Sequence, residues 1–341
     1  MTHTRIRGLP TSALVAPDSF KGTFSALAVA QALERGLVAS GQPAECCPLA
    51  DGGEGTLAAL AAPLGLEVRN ALVSDPLGRP LEAGFGIGAD GVAVVEVAAA
   101  SGLGLVAPAQ RDALAASTRG TGELIAAALE AGAHTVYVAA GGSATTDGGA
   151  GALAALDERG GVGDARLVVL CDVRTPFEVA AEVFAPQKGA DAEQVLELSK
   201  RLARQATALP RDPRGVPMTG AAGGLAGGLW ARHGAQLVAG AGFVLEATGF
   251  DARMRAARAV ITGEGRLDRQ SLAGKLVAAV ATRARQAGVP CHAVVGQNAV
   301  SDFDLRILDL QLVLEASTLA QIEAAGAQIG ATMQAQSPRS R

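Results

Sequence analysis

Four lysines stand among the 29 basic residues of this chain, and three of them touch a glycine in a polar segment: Phe20-Lys21-Gly22, Gln187-Lys188-Gly189 and Gly274-Lys275-Leu276. Arginine fills nearly every other basic position, which suggests that a compact ammonium on a flexible stem was kept where a planar fork would not serve. Lysine beside glycine, where backbone N–H groups approach a ligand closely, is a phosphate-binding combination. The loops repeat a second composition of glycine, a small hydroxyl residue and a carboxylate: Asp18-Ser19-Phe20-Lys21-Gly22-Thr23, Asp51-Gly52-Gly53-Glu54-Gly55-Thr56, Ser117-Thr118-Arg119-Gly120-Thr121-Gly122-Glu123, Gly141-Gly142-Ser143-Ala144-Thr145-Thr146-Asp147-Gly148-Gly149 and Thr262-Gly263-Glu264-Gly265-Arg266-Leu267-Asp268. Glycine lets a backbone turn its N–H groups onto a phosphate, and a helix starting just afterwards adds its positive end. Carboxylates at such a place repel phosphate unless a divalent cation intervenes, so Asp with Ser or Thr among glycines points to Mg²⁺ held by oxygen. An N–H cradle, lysine charge, metal carboxylates and a base are the parts of phosphoryl transfer.

Those loops need a scaffold that gathers them. Apolar runs at 12–16, 92–98, 135–140, 167–171, 259–262 and 291–296 read as strands, several apolar throughout, as strands buried on both faces are. Alanine-rich helical patterns at 25–40, 122–131, 190–208, 272–287 and 318–334 alternate with them. The alternation predicts α/β architecture with a largely parallel sheet, whose ligands sit beyond the carboxyl ends of the strands. No GxxxxGK[ST] loop, no GxGxxG after the first strand and no protein-kinase signature is present.

Composition excludes several classes. A net charge of −4 gives no general attraction to nucleic acid or anionic membrane, and 3% aromatic residues leave little for base stacking. The N-terminal segment lacks a long apolar core and cleavage site, and the cysteines 46, 47, 171 and 291 show neither zinc spacing nor a CxxC pair. A cytoplasmic protein with reduced thiols is therefore expected, without membrane or nucleic-acid partners. Oligomeric state stays open, a homodimer included. Cys171 reads as a small buried hydrophobe, Lys200 as a solvated helix residue, and His134 and His292 as strand flanks without catalytic duty.

Taken in order, the strings APDSFKGT (16–23), PLADGGEGT (48–56), DPLGRP (75–80), ASGL (100–103), STRGTGEL (117–124), GGSATTDGGAG (141–151), CDV (171–173), VFAPQKGA (183–190), GAAGGL (220–225) and ITGEGRLDRQSLAGK (261–275) resemble the bacterial glycerate kinase family. The likeness runs from about residue 13 to 297. It implies an ATP- and Mg²⁺-dependent enzyme that transfers a γ-phosphoryl group to a hydroxyl of D-glycerate, giving phosphoglycerate and ADP. It also implies two α/β domains, one flavodoxin-like with a three-layer, mostly parallel sheet and one restriction-enzyme-like and inserted, with the site in a cleft between them. On that pattern the first domain is expected at 1–70 plus 258–341 and the inserted one at 71–257.

Asp147 and Asp172 are the expected catalytic acids, as Mg²⁺ ligands or as the base for the acceptor hydroxyl, with Asp268 a third metal candidate. Lys21, Lys188 and Lys275 are expected on ATP phosphates or the glycerate carboxylate, Lys21 and Lys188 within the catalytic set. Binding candidates are Asp18, Ser19, Asp51, Gly52, Gly53, Arg79, Gly141, Gly142, Ser143, Thr145, Gly263, Glu264 and Arg266. Asp18 before Ser19 and Asp51 before Gly52-Gly53 fit equally well as turn caps. The chain departs from the family pattern at the short segment Asp157–Ala165, at Arg174-Thr175-Pro176-Phe177 after CDV, and at Ala185 in VFAPQKGA. Those departures keep two alternatives open: a kinase for another small hydroxy acid, and a catalytically silent nucleotide- or anion-binding relative.

Overall fold

The computed structural model describes residues 11–171, 173–268 and 275–335. Among them run the strands β1 (Ala13–Val15), β2 (Ala44–Cys46), β3 (Leu66–Ser74), β4 (Pro80–Gly88), β5 (Val92–Glu96), β6 (Thr135–Ala139), β7 (Arg166–Cys171), β8 (Gln236–Ala239), β9 (Ala259–Glu264), β10 (Cys291–Val295) and β11 (Leu310–Glu315). The chain divides into two compact units, one made of residues 1–49 and 248–341, the other of residues 50–247. The α/β class expected from the alternation holds, with two sheets whose pairings are mostly parallel.

The first unit carries the sheet β11-β10-β9-β1-β2, parallel throughout. Its inner strands are apolar because both faces are covered. Alternate residues of β10 serve different cores. Val294 packs with Ile261 and with Val29, Leu33 and Ile329 of the helices Ala26–Ala39 and Leu319–Ala335, whereas Ala293 and Val295 pack with Leu267 and with Val277 of the helix Leu276–Ala287. The helix at 26–39 starts where Ser25 accepts a hydrogen bond from the Ala28 N–H at 3.2 Å. It buries Val29, Leu33 and Leu37 at the spacing of one helix face.

The second unit carries the sheet β3-β4-β5-β6-β7-β8, antiparallel from β3 to β5 and parallel from β5 to β8. The hairpin of β3 and β4 escaped the sequence reading because β3 is largely exposed: Val68 and Leu72 face solvent and leave no apolar run to read. Its turn is the DPLGRP string, where the Asp75 carboxylate accepts the N–H groups of Leu77 and Arg79 at 2.8 and 2.9 Å and the Arg79 Nε–H at 2.5 Å. Burial pushes the Asp75 carboxyl up, but the Arg79 and Leu77 hydrogen bonds outweigh it and hold the carboxyl below the usual carboxylate range. Val95, Leu124, Ile125, Val138, Val169 and Leu225 form the main core. A second core of Phe177, Ala181, Leu198 and Leu202 lies under the helix Ala192–Ala208, which Asp191 and Gln194 cap reciprocally. Lys200 falls on the exposed side of that helix, as expected. Among the described residues no helix is long and apolar enough to cross a membrane.

His292 sits inside β10, 3% exposed, opposite Ile261. Its Nδ1 has no hydrogen-bond partner, and burial lowers its pKa from 6.5 to about 4. An unfolded chain then takes up this proton near pH 6.5 and the folded one only near 4, so stability present above 6.5 is lost progressively as pH falls through that window. His292→Leu is expected to flatten the pH dependence of the unfolding free energy from urea titrations between pH 6.5 and 4 by on the order of 1–3 kcal/mol.

Candidate functional site

In the first unit β2 lies on one side of β1 and β9 on the other, so the strand order reverses at β1. Loops leaving neighbouring strands part at such a point and open a crevice at the carboxyl ends. A cavity of about 390 Å³ lies there, lined by Asp18, Ser19, Lys21, Thr23, Glu264, Arg266, Asp268, Lys275 and Gln297, among others. The loops touch backbone to backbone. The Asp18 N–H donates to the Gly263 carbonyl at 2.8 Å, and a Cβ on Gly263 would lie 2.1 Å from the Val294 carbonyl oxygen, so only glycine fits between β9 and β10. Asp18 accepts the Ser19 N–H at 2.7 Å, the turn-capping role open to it in the sequence, while the buried Ser19 hydroxyl has no partner. Arg266 and Asp268 approach to 3.7 Å. Lys275 occupies the N-cap position of the helix Leu276–Ala287. Three cations and three carboxylates thus surround one cavity.

A second loop cluster forms at the carboxyl ends of β5, β6 and β7 in the other unit. The Gly141 N–H donates to the Gly52 carbonyl at 3.2 Å, which joins the ADGGEGT loop to the loop after β6. Within the former, Asp51 accepts the Gly53 N–H at 3.1 Å. Ser143 bridges Gly102 of the ASGL string, with the Ala144 N–H on the Ser101 carbonyl at 2.8 Å. Behind lies the GAAGGL turn, where Ala222 holds φ +52 and Gly223 φ +63. A Cβ on Gly223 would stand 2.0 Å from the Thr145 carbonyl oxygen, and its own carbonyl accepts the Gly148 N–H at 3.0 Å. Lys188, 3% exposed, reaches in from the VFAPQKGA turn and donates to the Ser143 hydroxyl at 3.0 Å and to the Thr145 carbonyl.

Asp147 holds this cluster together. Its Oδ2 accepts the Thr118 N–H and hydroxyl, both at 2.8 Å, and the Gly151 N–H at 3.1 Å, while Oδ1 accepts the Gly149 N–H at 3.0 Å. A carboxylate has about four acceptor sites, so these donors account for its capacity. The arrangement ties the loop after β6 to the start of the helix Arg119–Glu130.

The candidates from the sequence therefore fall into two sets. Asp18, Ser19, Lys21, Gly263, Glu264, Arg266, Asp268 and Lys275 gather in the first unit; Asp51, Gly52, Gly53, Gly141, Gly142, Ser143, Thr145, Asp147 and Lys188 gather in the second. Arg79 stands in the hairpin turn on Asp75, and Asp172 lies outside the described residues. Thr118 and Glu96 had drawn no attention as single residues. Thr118 was legible inside the STRGTGEL string. Glu96, the last residue of β5, accepts the Leu57 N–H at 2.7 Å. Burial raises its carboxyl above the usual range; hydrogen bonds from the Leu57, Gly55 and Thr56 N–H groups oppose this, and Glu54 adds to it. Only the tertiary fold half-buries it.

Among the described residues no three His, Cys, Asp or Glu side chains form a cage for a metal. Mg²⁺ does not require one, since it keeps waters and takes one or two carboxylates besides substrate phosphates. The oxygen donors Asp18, Glu264 and Asp268 around the first cavity fit that demand.

Residues 13–161 and 157–323 match the model of the glycerate kinase family. The sequence is 39% identical over 321 residues to glycerate 2-kinase of Escherichia coli (strain K12), covering 83% of this chain and 84% of that protein. It is 40% identical, with the same coverage, to glycerate kinase of Bacillus subtilis (strain 168). A solved chain from Salmonella typhimurium LT2, provisionally named glycerate kinase 2, matches with a TM-score of 0.78 at 34% identity and covers 95% of this chain and 98% of its own length.

Asp147→Asn replaces an acceptor oxygen by a donor facing N–H groups. It is expected to lower unfolding free energy by about 2–4 kcal/mol in urea titrations, more than a surface Asp→Asn change.

Proposed function

The chain belongs to the glycerate kinase family, and we propose that it catalyses transfer of the γ-phosphoryl group of ATP to a hydroxyl of D-glycerate. The observation that carries this reading is the first unit's cavity, where Lys21, Arg266 and Lys275 share one space with Asp18, Glu264 and Asp268 at the reversal point of a parallel sheet. Mixed charge of this kind suits a polyphosphate accompanied by a divalent cation. The lysines and Arg266 hold phosphate oxygens, and the carboxylates supply oxygen ligands to Mg²⁺. Mg²⁺ supplies neutralisation of the charge on the bridging and terminal phosphate oxygens. The second loop cluster, with buried Lys188 and the Ser143–Thr145 segment, holds the acceptor.

The acceptor hydroxyl oxygen forms a bond to the γ-phosphorus as the bond from phosphorus to the β,γ-bridging oxygen breaks. ADP leaves with that electron pair, and the hydroxyl proton passes to a carboxylate. Asp147, with its four donors, positions the loop. The base in this proposal is Asp172, next in sequence to the last residue of β7. The name of the Escherichia coli relative, glycerate 2-kinase, favours the 2-hydroxyl as acceptor.

Purified protein with Mg-ATP and D-glycerate is expected to release ADP in a glycerate-dependent manner, with 2-phosphoglycerate as the product in phosphorus NMR. Turnover of a different hydroxy acid in place of glycerate, or ATP binding without any acceptor turnover, would sink the proposal. Asp172→Asn is expected to lower kcat by about 10²- to 10⁴-fold while the Kd for ATP stays within about twofold; an undiminished kcat removes Asp172 from the role of base.

A further inference from the structure

Beside Lys188, in the second unit, a narrow cavity of about 10 Å³ is lined by Leu77, Leu103, Val106, Arg111, Asp112, Ala116, Ala144 and Lys188. Arg111 belongs to none of the motif strings, yet its Nε–H is buried and has no hydrogen-bond partner. A buried guanidinium N–H without an acceptor costs on the order of 1–3 kcal/mol or more, so a native chain keeps one where something else accepts it. The adjacent Asp112 carboxylate does not accept it; its Oδ1 takes the N–H groups of Leu114 and Ala115 at 3.0 Å each. Arg111 and Lys188 are held as neighbours: a Cβ on Gly189 would lie 3.2 Å from the Arg111 Cβ, so the turn carrying Lys188 rests on the arginine stem.

We propose that Arg111 and Lys188 form the subsite for the carboxylate of the acceptor, with Arg111 selecting a hydroxy acid over a neutral polyol. This rests on the glycerate reading above and adds to it a residue and a ligand group. The Nε–H and a neighbouring Nη–H of a guanidinium present two parallel donors at the spacing of two carboxylate oxygens. Lys188 adds a second positive charge from a side chain that is itself 3% exposed. Leu77, Leu103, Val106, Ala116 and Ala144 give the cavity apolar walls, and a lowered local dielectric strengthens both interactions.

The test uses the full chain as wild type, Arg111→Ala and Arg111→Lys, each checked for an unchanged urea midpoint. D-glycerate and ATP are titrated separately by calorimetry, and KM values are measured for D-glycerate, ATP and glycerol, the acceptor without a carboxylate. Arg111→Ala is expected to weaken D-glycerate binding and raise its KM by about 10- to 100-fold, leave ATP within about twofold, and erase most of the preference for glycerate over glycerol. Arg111→Lys, which keeps charge and loses the fork, is expected to fall between; should the alanine variant not fold, the lysine variant decides by the same readouts. Unchanged D-glycerate affinity, or a loss shared equally by ATP, overturns the assignment. Wild type that binds D-glycerate in an Arg111-dependent way without phosphorylating it refutes the kinase reading alone. Wild type that fails to bind D-glycerate refutes the subsite.

Discussion

Backbone contact at places with no room for a Cβ, between neighbouring strands in one unit and between loops in the other, is the constraint on which both units depend. In the first unit Gly263 lies against the Val294 carbonyl, and in the second Gly223 lies against the Thr145 carbonyl. Such contacts bring the ends of parallel strands together closely enough for side chains from loops distant in sequence to share a cavity. They also bury peptide groups, which must then find partners. The hydrogen bonds from Asp18 to Gly263, Gly141 to Gly52 and Gly148 to Gly223 meet that demand. The carboxylates at the strand ends complete it where carbonyls do not reach, most fully at Asp147.

The two clusters built this way differ in electrostatic character. The cavity of the first unit is of mixed sign, with cations and acids interleaved. The cluster of the second unit is tighter, and its acids are spent on its own backbone: Asp147 on the loop after β6, Asp75 on the hairpin turn, Asp112 on the segment it begins. Its small cavity is lined by Arg111 and Lys188 together with Asp112. The proposed assignment of nucleotide to the first cluster and acceptor acid to the second rests on that contrast in charge.

Much of the scaffold was legible in the sequence. The inner strands are buried on both faces, so their apolar runs could not be mistaken for surface, and β1, β6, β7, β9 and β10 stand within a residue or two of the positions the runs indicate. β3 and β4 were not legible, since a hairpin with one face in solvent breaks its apolar pattern. The glycine-rich strings announced the loops, and their order along the chain carried the family resemblance. The roles inside them were harder to read: an Asp among glycines has the same appearance whether it binds a ligand or caps a turn, and Asp18, Asp51 and Asp147 all accept local N–H groups.

By itself, then, the sequence determined the α/β class, the parallel inner strands and the glycine-rich loops between them and their helices. These follow from hydrophobic periodicity and glycine spacing, which are local properties. The tertiary structure alone decided which loops meet, that Asp147 is met by Thr118 from another strand–helix connection, that Glu96 is half-buried with its carboxyl raised, and that Arg111 stands beside Lys188. Burial and hydrogen-bond partnership are set by residues far apart in the chain, and one arginine among many becomes distinct only once the fold has removed its acceptor.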